Sequence, residues 1–547
     1  MSANVAVRFK EQAAIRPDQA ALIFASGKAA EPWERWTFAE LDRRSDQFAS
    51  GFSERGIKRG DRVLFLVKPS LEFYALLLGL LKLGAVPTVV DPGMGMKSVL
   101  ACISHIRPKA VVALSAVHAV RVFARKAFSS ATIFITVGRR WFWGGATHLD
   151  CLGTAPFESP AFVEQDEAFI VFTSGSTGLP KGVSFRHGTF LGATRLMQER
   201  LGLGPGLTSL ETFAPFVLFH LAAGESVVVP EMNLTKPATA DPAKIVAAIH
   251  AHRPRAAFAS PIVLRKVMEH CQKSGTKLPG LTHILTGVAP VPGDLHAGFR
   301  SILDPGGRIL VNYGATEALT VTVIESEEVL TDTWPQTAKG AGNCVGRPFP
   351  EMDVRVIRIT DDPIAEWSED LRVAPGELGE IVVGGPVTSP EYKDLPDANA
   401  KAKIRDGDQI LHRMGDLGYV DPQGRLWFCG RKAHRIMTAE GIIPNVPVEA
   451  IFNEHPAVQR SAVVPVGARG SQEALLLVEL KPTNTWNDAL ANEILDLAKG
   501  TRWEGRVSRA MVHPGFPVDA RHQAKIRNEV LIEWAAEHAG RALRSVA

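Results

Sequence analysis

The chain predicts an α/β protein, with two parallel-rich α/β subdomains plus a β subdomain in a large N-terminal part and a small α+β C-terminal part. Three observations carry this. Up to Pro348, short apolar strands alternate with helical segments, the signature of parallel sheets covered by helices. Beyond Pro348, short strands follow one another through Gly, Asp and Pro turns, as antiparallel strands do. From Arg431 strands and helices alternate again, so the division falls at residues 1–430 and 431–547. At 547 residues the chain also exceeds what one hydrophobic core organises.

The elements follow in order. Thr37 and Glu40 have capping-box spacing, and Phe38, Leu41, Phe48 and Phe52 share one helical face that Gly56 stops. DRVLFLV reads as a strand, and FYALLLGLLKLGAVPTVV from Phe73 reads as a buried helix running into another strand. With Lys82 and Pro87 inside it, that stretch is too short and too interrupted for a bilayer span. PKAVVALS and TIFITVG repeat the strand pattern. A second series comprises AFIVFTS, ESVVVP, AAFAS, HILTG and RILVNYG, interleaved with helices such as Pro242 to His252. The antiparallel unit takes DVRVIRI, GELGEIVVGG, DLGYVD and RLWFCG, and the C-terminal part takes HRIMTAEG, SAVVPVG and ALLLVELKP. The apolar cluster WFWGG at Trp141 fits either core packing or a hydrophobic rim.

Composition narrows the function. A hydrophobic content of 46% with 22% charged residues is that of a globular enzyme. The net charge of +3 is spread without blocks, so there is no footprint for nucleic acid. Five scattered cysteines without a CxxC, an odd number, point to buried free thiols in a reducing compartment. The N-terminus MSANVAVRFKEQ brings charge at once and has no apolar leader core, which predicts a cytoplasmic protein.

The stretch from Phe172 to Val183, FTSGSTGLPKGV, carries the chemistry. Six of its first seven residues are glycine or bear a hydroxyl, it follows an apolar strand, and it reaches a lysine. Glycines let backbone N–H groups approach an anion, and Ser174, Ser176 and Thr177 add donors. Pro180 and Gly182 flank Lys181, so this is not the GKS/GKT phosphate loop, and no GxGxxG is present. A solvent-exposed turn is the structural alternative.

Its companions decide. NYGATE from Asn312 to Glu317, MGDLGYVDPQGRLWFCGR from Met414 to Arg431, and PVDARHQAKIR from Pro517 to Arg527 follow in order, and WTFAELD and LKLGAVP precede it. Together these motifs resemble those of the adenylate-forming superfamily of acyl-CoA synthetases, luciferases and peptide-synthetase adenylation domains. The resemblance implies that the C-terminal part is mobile and that an organic acid attacks the α-phosphate of ATP. It places Thr173, Ser174, Gly175, Ser176, Thr177, Gly178 and Lys181 around the β- and γ-phosphates. Lys525 would reach the carboxylate and α-phosphate, and Thr316 the α-phosphate. Mg²⁺ would bridge the phosphates with Glu317 and Thr177 as ligands, a hard ion on oxygen donors.

By the same resemblance Tyr313 and Gly287-Val288-Ala289 line the adenine pocket, beside Asn312, Gly314 and Ala315 of the NYGATE motif. Asp416 takes the ribose hydroxyls and Arg431 assists. His220 would stand beside the acyl pocket as a catalytic residue, with Phe213, Phe216 and Phe219 suiting an aliphatic tail. The structural alternatives are a turn aspartate, a surface lysine, and core aromatic and histidine residues.

The hinge departs from the acyl-CoA synthetase pattern. In GRKAHRIMTAEGIIP, Ala433 and His434 stand near the acidic positions, Met437 replaces a lysine and Gly441 is displaced by one. Ala524 replaces the glycine before Lys525. Adenylation looks intact and thiolation altered. DARHQAKI with this hinge resembles the branch that closes β-lactones in bacterial long-chain olefin biosynthesis. The resemblance implies a long-chain β-hydroxy acid, activated with ATP and closed on itself by its own hydroxyl, with CoA unused. A conventional medium- or long-chain acyl-CoA or acyl-AMP ligase is the alternative, and a non-catalytic nucleotide-binding scaffold is the reading from another class. A place in a multi-enzyme pathway assembly stays open.

Overall fold

The computed structural model describes residues 4–28, 30–154, 156–173, 180–287, 289–518, 526–541 and 543–544. Local sequence signals set the first elements. Thr37 caps the helix Phe38–Glu54 by accepting from the Glu40 N–H, while the Glu40 carboxylate accepts from the Thr37 N–H at 2.8 Å. Phe38, Leu41, Phe48 and Phe52 are all buried along it. The apolar helix Leu71–Leu83 packs on this face and ends at Gly84 in the left-handed region, which an L side chain would resist. Lys82 is fully buried between the two helices, but Asp42 at 2.6 Å and Asp46 at 2.5 Å neutralise its charge.

Among the described residues, seven strands form the first sheet, in the order Ala146–Thr147, Ile133–Val137, Ala110–Leu114, Arg62–Leu66, Val86–Val89, Glu167–Thr173, Lys181–Arg186. All neighbours are parallel except the last pair, an antiparallel ladder that sets Thr173 opposite Lys181. The C-terminal ends of the parallel strands therefore share one edge, where α/β sheets place ligands.

The second sheet is longer than expected. Its parallel part runs through Ala20–Ala25, Ser226–Val229, Thr208–Glu211, Ala256–Phe258, His283–Thr286 and Arg308–Ala315. It then turns antiparallel through Ala318–Glu325 and Asn343–Pro348 and continues into Leu426–Arg431, Gln409–Val420, Gly379–Gly384 and Asp353–Ile357. The antiparallel unit foreseen beyond Pro348 is thus hydrogen-bonded to the second α/β sheet, because Asn343–Pro348 pairs on both sides.

After Arg431 the chain forms the hairpin Ile436–Thr438 with Gly441–Ile443, and a sheet of Val458–Val466, Glu473–Leu480, Arg509–Val512 and Leu543–Arg544. The helices Asn445–Asn453, Asp488–Asp496 and Asn528–His538 accompany it, with core residues of its own such as Ile451, Phe452, Leu476 and Ile494. All five thiols are free; four are buried and Cys344 is half-buried. Among the described residues, no helix is long and apolar enough to cross a membrane.

Candidate active site

A single cleft of 1770 Å³ collects residues from the C-terminal edge of the first sheet, the second sheet, the antiparallel extension and the C-terminal part. Thr173, Lys181, Ala289, Asn312, Tyr313, Gly314, Ala315, Thr316, Glu317, Asp416 and Arg431 all line it. The expected positions Ser174, Gly175, Ser176, Thr177, Gly178, Val288 and Lys525 lie outside the described residues, although Ile526, next to Lys525, lines the cleft.

The NYGATE motif forms the turn between Arg308–Ala315 and Ala318–Glu325. A Cβ on Gly314 would stand 2.6 Å from the Ala318 carbonyl oxygen, and one on Gly287 would collide with the Asn312 side chain. Both positions need glycine because backbone or side chain passes too close for anything larger. Gly287 packs behind the cleft wall at Asn312.

One end of the cleft is polar and charged. The Tyr313 hydroxyl donates to Asp416 Oδ2 at 2.7 Å, and Arg431 stands 2.8 Å from Asp416 Oδ1. Strand register produces this, since Asp416 and Arg431 are cross-strand partners. Burial pushes the Asp416 carboxyl up while the Arg431 guanidinium pulls it down. Oδ1 is buried and is held by the Arg431 ion pair, with no well-directed hydrogen bond to it.

A second group surrounds Glu317, whose Oε1 accepts from the Tyr392 hydroxyl at 2.8 Å. Lys181 lies over the Tyr392 ring at 4.8 Å and Lys403 at 5.5 Å, both within cation–π reach. Lys403 donates to the Ser389 carbonyl at 2.7 Å, and burial pushes its ammonium down to about 7. His412 packs on Tyr392 and is held well below the usual histidine range by burial and by Lys403. Tyr392, Lys403 and His412 escaped sequence reasoning. They sit 75 or more residues from Glu317 in SPEYKDL and the strands after it, and nothing in their spacing marks them.

The residues expected at the hinge make bonds to elements before and after them in the chain. Lys432 donates to Glu380 at 2.9 Å, Arg435 to Asp361 at 2.6 Å, and His434 faces Glu529 at 3.4 Å. Met437 lies in the following hairpin, its sulfur 3.0 Å from Arg469 Nε. It offers a thioether where a lysine would have offered a cation.

The other end of the cleft is aromatic. Phe190 and Phe219 stack at 4.2 Å, Phe216 lies 4.4 Å from Phe258, and Phe169, Phe185 and Phe213 extend the wall. His220 does not line the cleft, which corrects its expected place beside an acyl pocket. Its Nε2 meets Glu211 at 2.7 Å and its Nδ1 meets Glu225 at 2.8 Å, all three buried. An imidazole with both nitrogens committed to carboxylates has none for a substrate. Burial pulls it down, but Glu225 and Glu211 outweigh burial and hold it at about 10.

Charged and aromatic residues thus line one cleft at the C-terminal edge of parallel strands, where α/β folds bind ligands. Residues 9–393 match the AMP-binding enzyme family, and the chain belongs to that family. It is an AMP-forming ligase. It is 41% identical over 97% of its length to the olefin beta-lactone synthetase of Stenotrophomonas maltophilia, covering 98% of that protein. It is 40% identical over 98% to the olefin beta-lactone synthetase of Xanthomonas campestris pv. campestris, again covering 98% of it. The crystal structure of ATP-bound MatB from Rhodopseudomonas palustris shares the fold, with a TM-score of 0.77 at 20% identity over 98% of this chain and 99% of that one.

Proposed function

We propose that the enzyme activates a long-chain β-hydroxy carboxylic acid with ATP and closes the acyl-adenylate to a β-lactone, releasing pyrophosphate and AMP. The observation that carries this is the continuity of the charged end of the cleft with its aromatic arm, in a chain about two-fifths identical to two olefin beta-lactone synthetases. At 1770 Å³ the cleft exceeds the ~300–1,000 Å³ of ordinary ligand pockets, so it has room for a nucleotide and an extended acyl chain together.

A carboxylate expels oxide too poorly to be an acyl donor, so its oxygen is first bonded to the α-phosphorus while the bond to pyrophosphate breaks. Both reactants are anionic, and cations must offset their repulsion. Lys181 and Arg431 line the cleft for this, and Lys525 is assigned the same task from its motif. Asp416 Oδ1 accepts a ribose hydroxyl. The Tyr313 ring offers adenine a flat face. Glu317 would hold Mg²⁺ through the oxygen that Tyr392 leaves free, with Thr177 assigned beside it; when bound, the ion neutralises phosphate charge. We assign the serine- and glycine-rich residues 174–178 to the β- and γ-phosphates, and the division between the two parts to Arg431.

In the second step the β-hydroxyl oxygen bonds to the acyl carbon, the bond from that carbon to the AMP oxygen breaks, and the hydroxyl proton leaves to solvent. A nucleophile within the substrate needs no thiol channel, since proximity replaces a second substrate. Met437 in place of a hinge lysine supports that reading over an acyl-CoA ligase. The test is acid-stimulated exchange of labelled pyrophosphate into ATP, followed by AMP release with and without CoA. Release without CoA is expected. Release that requires CoA sinks the lactone reading.

A further inference from the structure

We propose that the loop Arg139-Arg140-Trp141-Phe142 docks the enzyme on an anionic phospholipid surface, beside the mouth of the acyl cleft. Trp141 is 54% exposed and Phe142 78%, although their neighbour Trp143 is buried. Trp143 is the anchor. Its indole N–H donates to Thr136 Oγ1 at 3.1 Å, its ring lies 5.9 Å from His118, and the Trp141 and Phe142 rings each lie 5.2 Å from it. The Arg139 carbonyl accepts from the Ser115 hydroxyl, and the Arg140 guanidinium donates to the Gly145 carbonyl. Two large aromatic side chains are thus held outward by a fixed turn instead of folding into the core.

Position and charge select the occupant. The loop leaves the strand Ile133–Val137 at the sheet edge that carries the cleft, where Val137 pairs with Leu114. Leu114 lines the cleft and is itself exposed, the half-buried Val117 lines it too, and Ser115 between them holds the loop. Both loop arginines are exposed and residues 137–147 contain no acid, while the nearby Asp150 interacts with Arg140 and with Arg55, which leaves the loop's surroundings net positive. Tryptophan and phenylalanine at headgroup depth with arginines beside them fit an interface bearing anionic lipid. A partner protein of ordinary composition would not require that excess of positive charge. The proposal rests on the long-chain acid reading in one respect: such an acid partitions into bilayers, and docking here puts the cleft mouth against its source.

The test uses the full chain and vesicles of phosphatidylcholine with or without phosphatidylglycerol, read by co-sedimentation in the absence of ATP and acid. The wild type is expected to partition onto the phosphatidylglycerol vesicles, less so at high salt. Trp141→Ser with Phe142→Ser is expected to weaken partition about tenfold, and Arg139→Gln with Arg140→Gln to remove the preference for phosphatidylglycerol. Both variants should keep the wild-type circular dichroism and pyrophosphate exchange on a detergent-dispersed acid. A wild type that stays in solution, or variants that partition as it does, overturns the proposal. So does a loss of self-association in the serine variant without vesicle binding, which would make the face a contact between copies. Vesicle binding without any exchange supports the docking surface and contradicts the proposed function alone.

Discussion

The Tyr392 hydroxyl donates to Glu317 at 2.8 Å and so couples the NYGATE turn to a segment 75 residues further on. The same ring carries Lys181 on its face. One aromatic residue therefore orients both a carboxylate and an ammonium at the charged end of the cleft.

Tyr392→Phe removes that hydrogen bond and keeps the ring. A hydrogen bond to a charged group contributes about 1.5–3 kcal/mol. Acid-dependent pyrophosphate exchange is expected to fall about 10- to 100-fold, with a raised requirement for Mg²⁺, while thermal stability changes little. Unchanged exchange across a Mg²⁺ titration contradicts this.

Asp416→Asn leaves Arg431 without its counter-charge and gives the ribose site one neutral amide oxygen in place of a carboxylate. The KM for ATP is expected to rise by about tenfold or more, for loss of a charge-assisted bond, with the acid KM nearly constant. Steady-state kinetics with each substrate varied in turn separate the two.

His220 serves the core behind the aromatic arm. Its proton, held to about 10 in the folded chain against an ordinary histidine value of 6.5, stabilises the fold fully below the ordinary value. That contribution is lost as pH climbs through about 10. Glu225→Gln is expected to cost about 3–5 kcal/mol at neutral pH, as a broken buried pair does. The variant's denaturation midpoint should converge on the wild type's as pH approaches 10; a constant gap from pH 6 to 10 contradicts the assignment.

Phe219→Trp enlarges a ring already stacked at 4.2 Å on Phe190 and fills part of the arm. Substrate preference is expected to move toward shorter acids, with exchange on the shortest accepted acid retained. A competition assay over a series of chain lengths reads the shift.

The strands, the capped helix at Thr37 and the order of the motifs were legible because each rests on local patterning. Thr316, Glu317, Asp416 and Arg431, each singled out from a contiguous motif, all line the one cleft, and their roles there are proposals. The continuity of the antiparallel unit with the second sheet was not, because the pairing of Asn343–Pro348 with Leu426–Arg431 spans about 80 residues of chain and leaves no periodic mark. Tyr392, Lys403 and His412 were hidden likewise, brought to Glu317 only by sheet geometry. His220 misled because a histidine in an aromatic run reads alike whether it faces substrate or two buried carboxylates.

The most direct measurement supplies a long-chain β-hydroxy acid labelled with ¹⁸O in both carboxyl oxygens, together with ATP and Mg²⁺ and without CoA. Attack at the α-phosphorus followed by closure through the β-hydroxyl requires one label in AMP and one in the carbonyl of the lactone. Unlabelled AMP, or label found in ADP or inorganic phosphate, contradicts it.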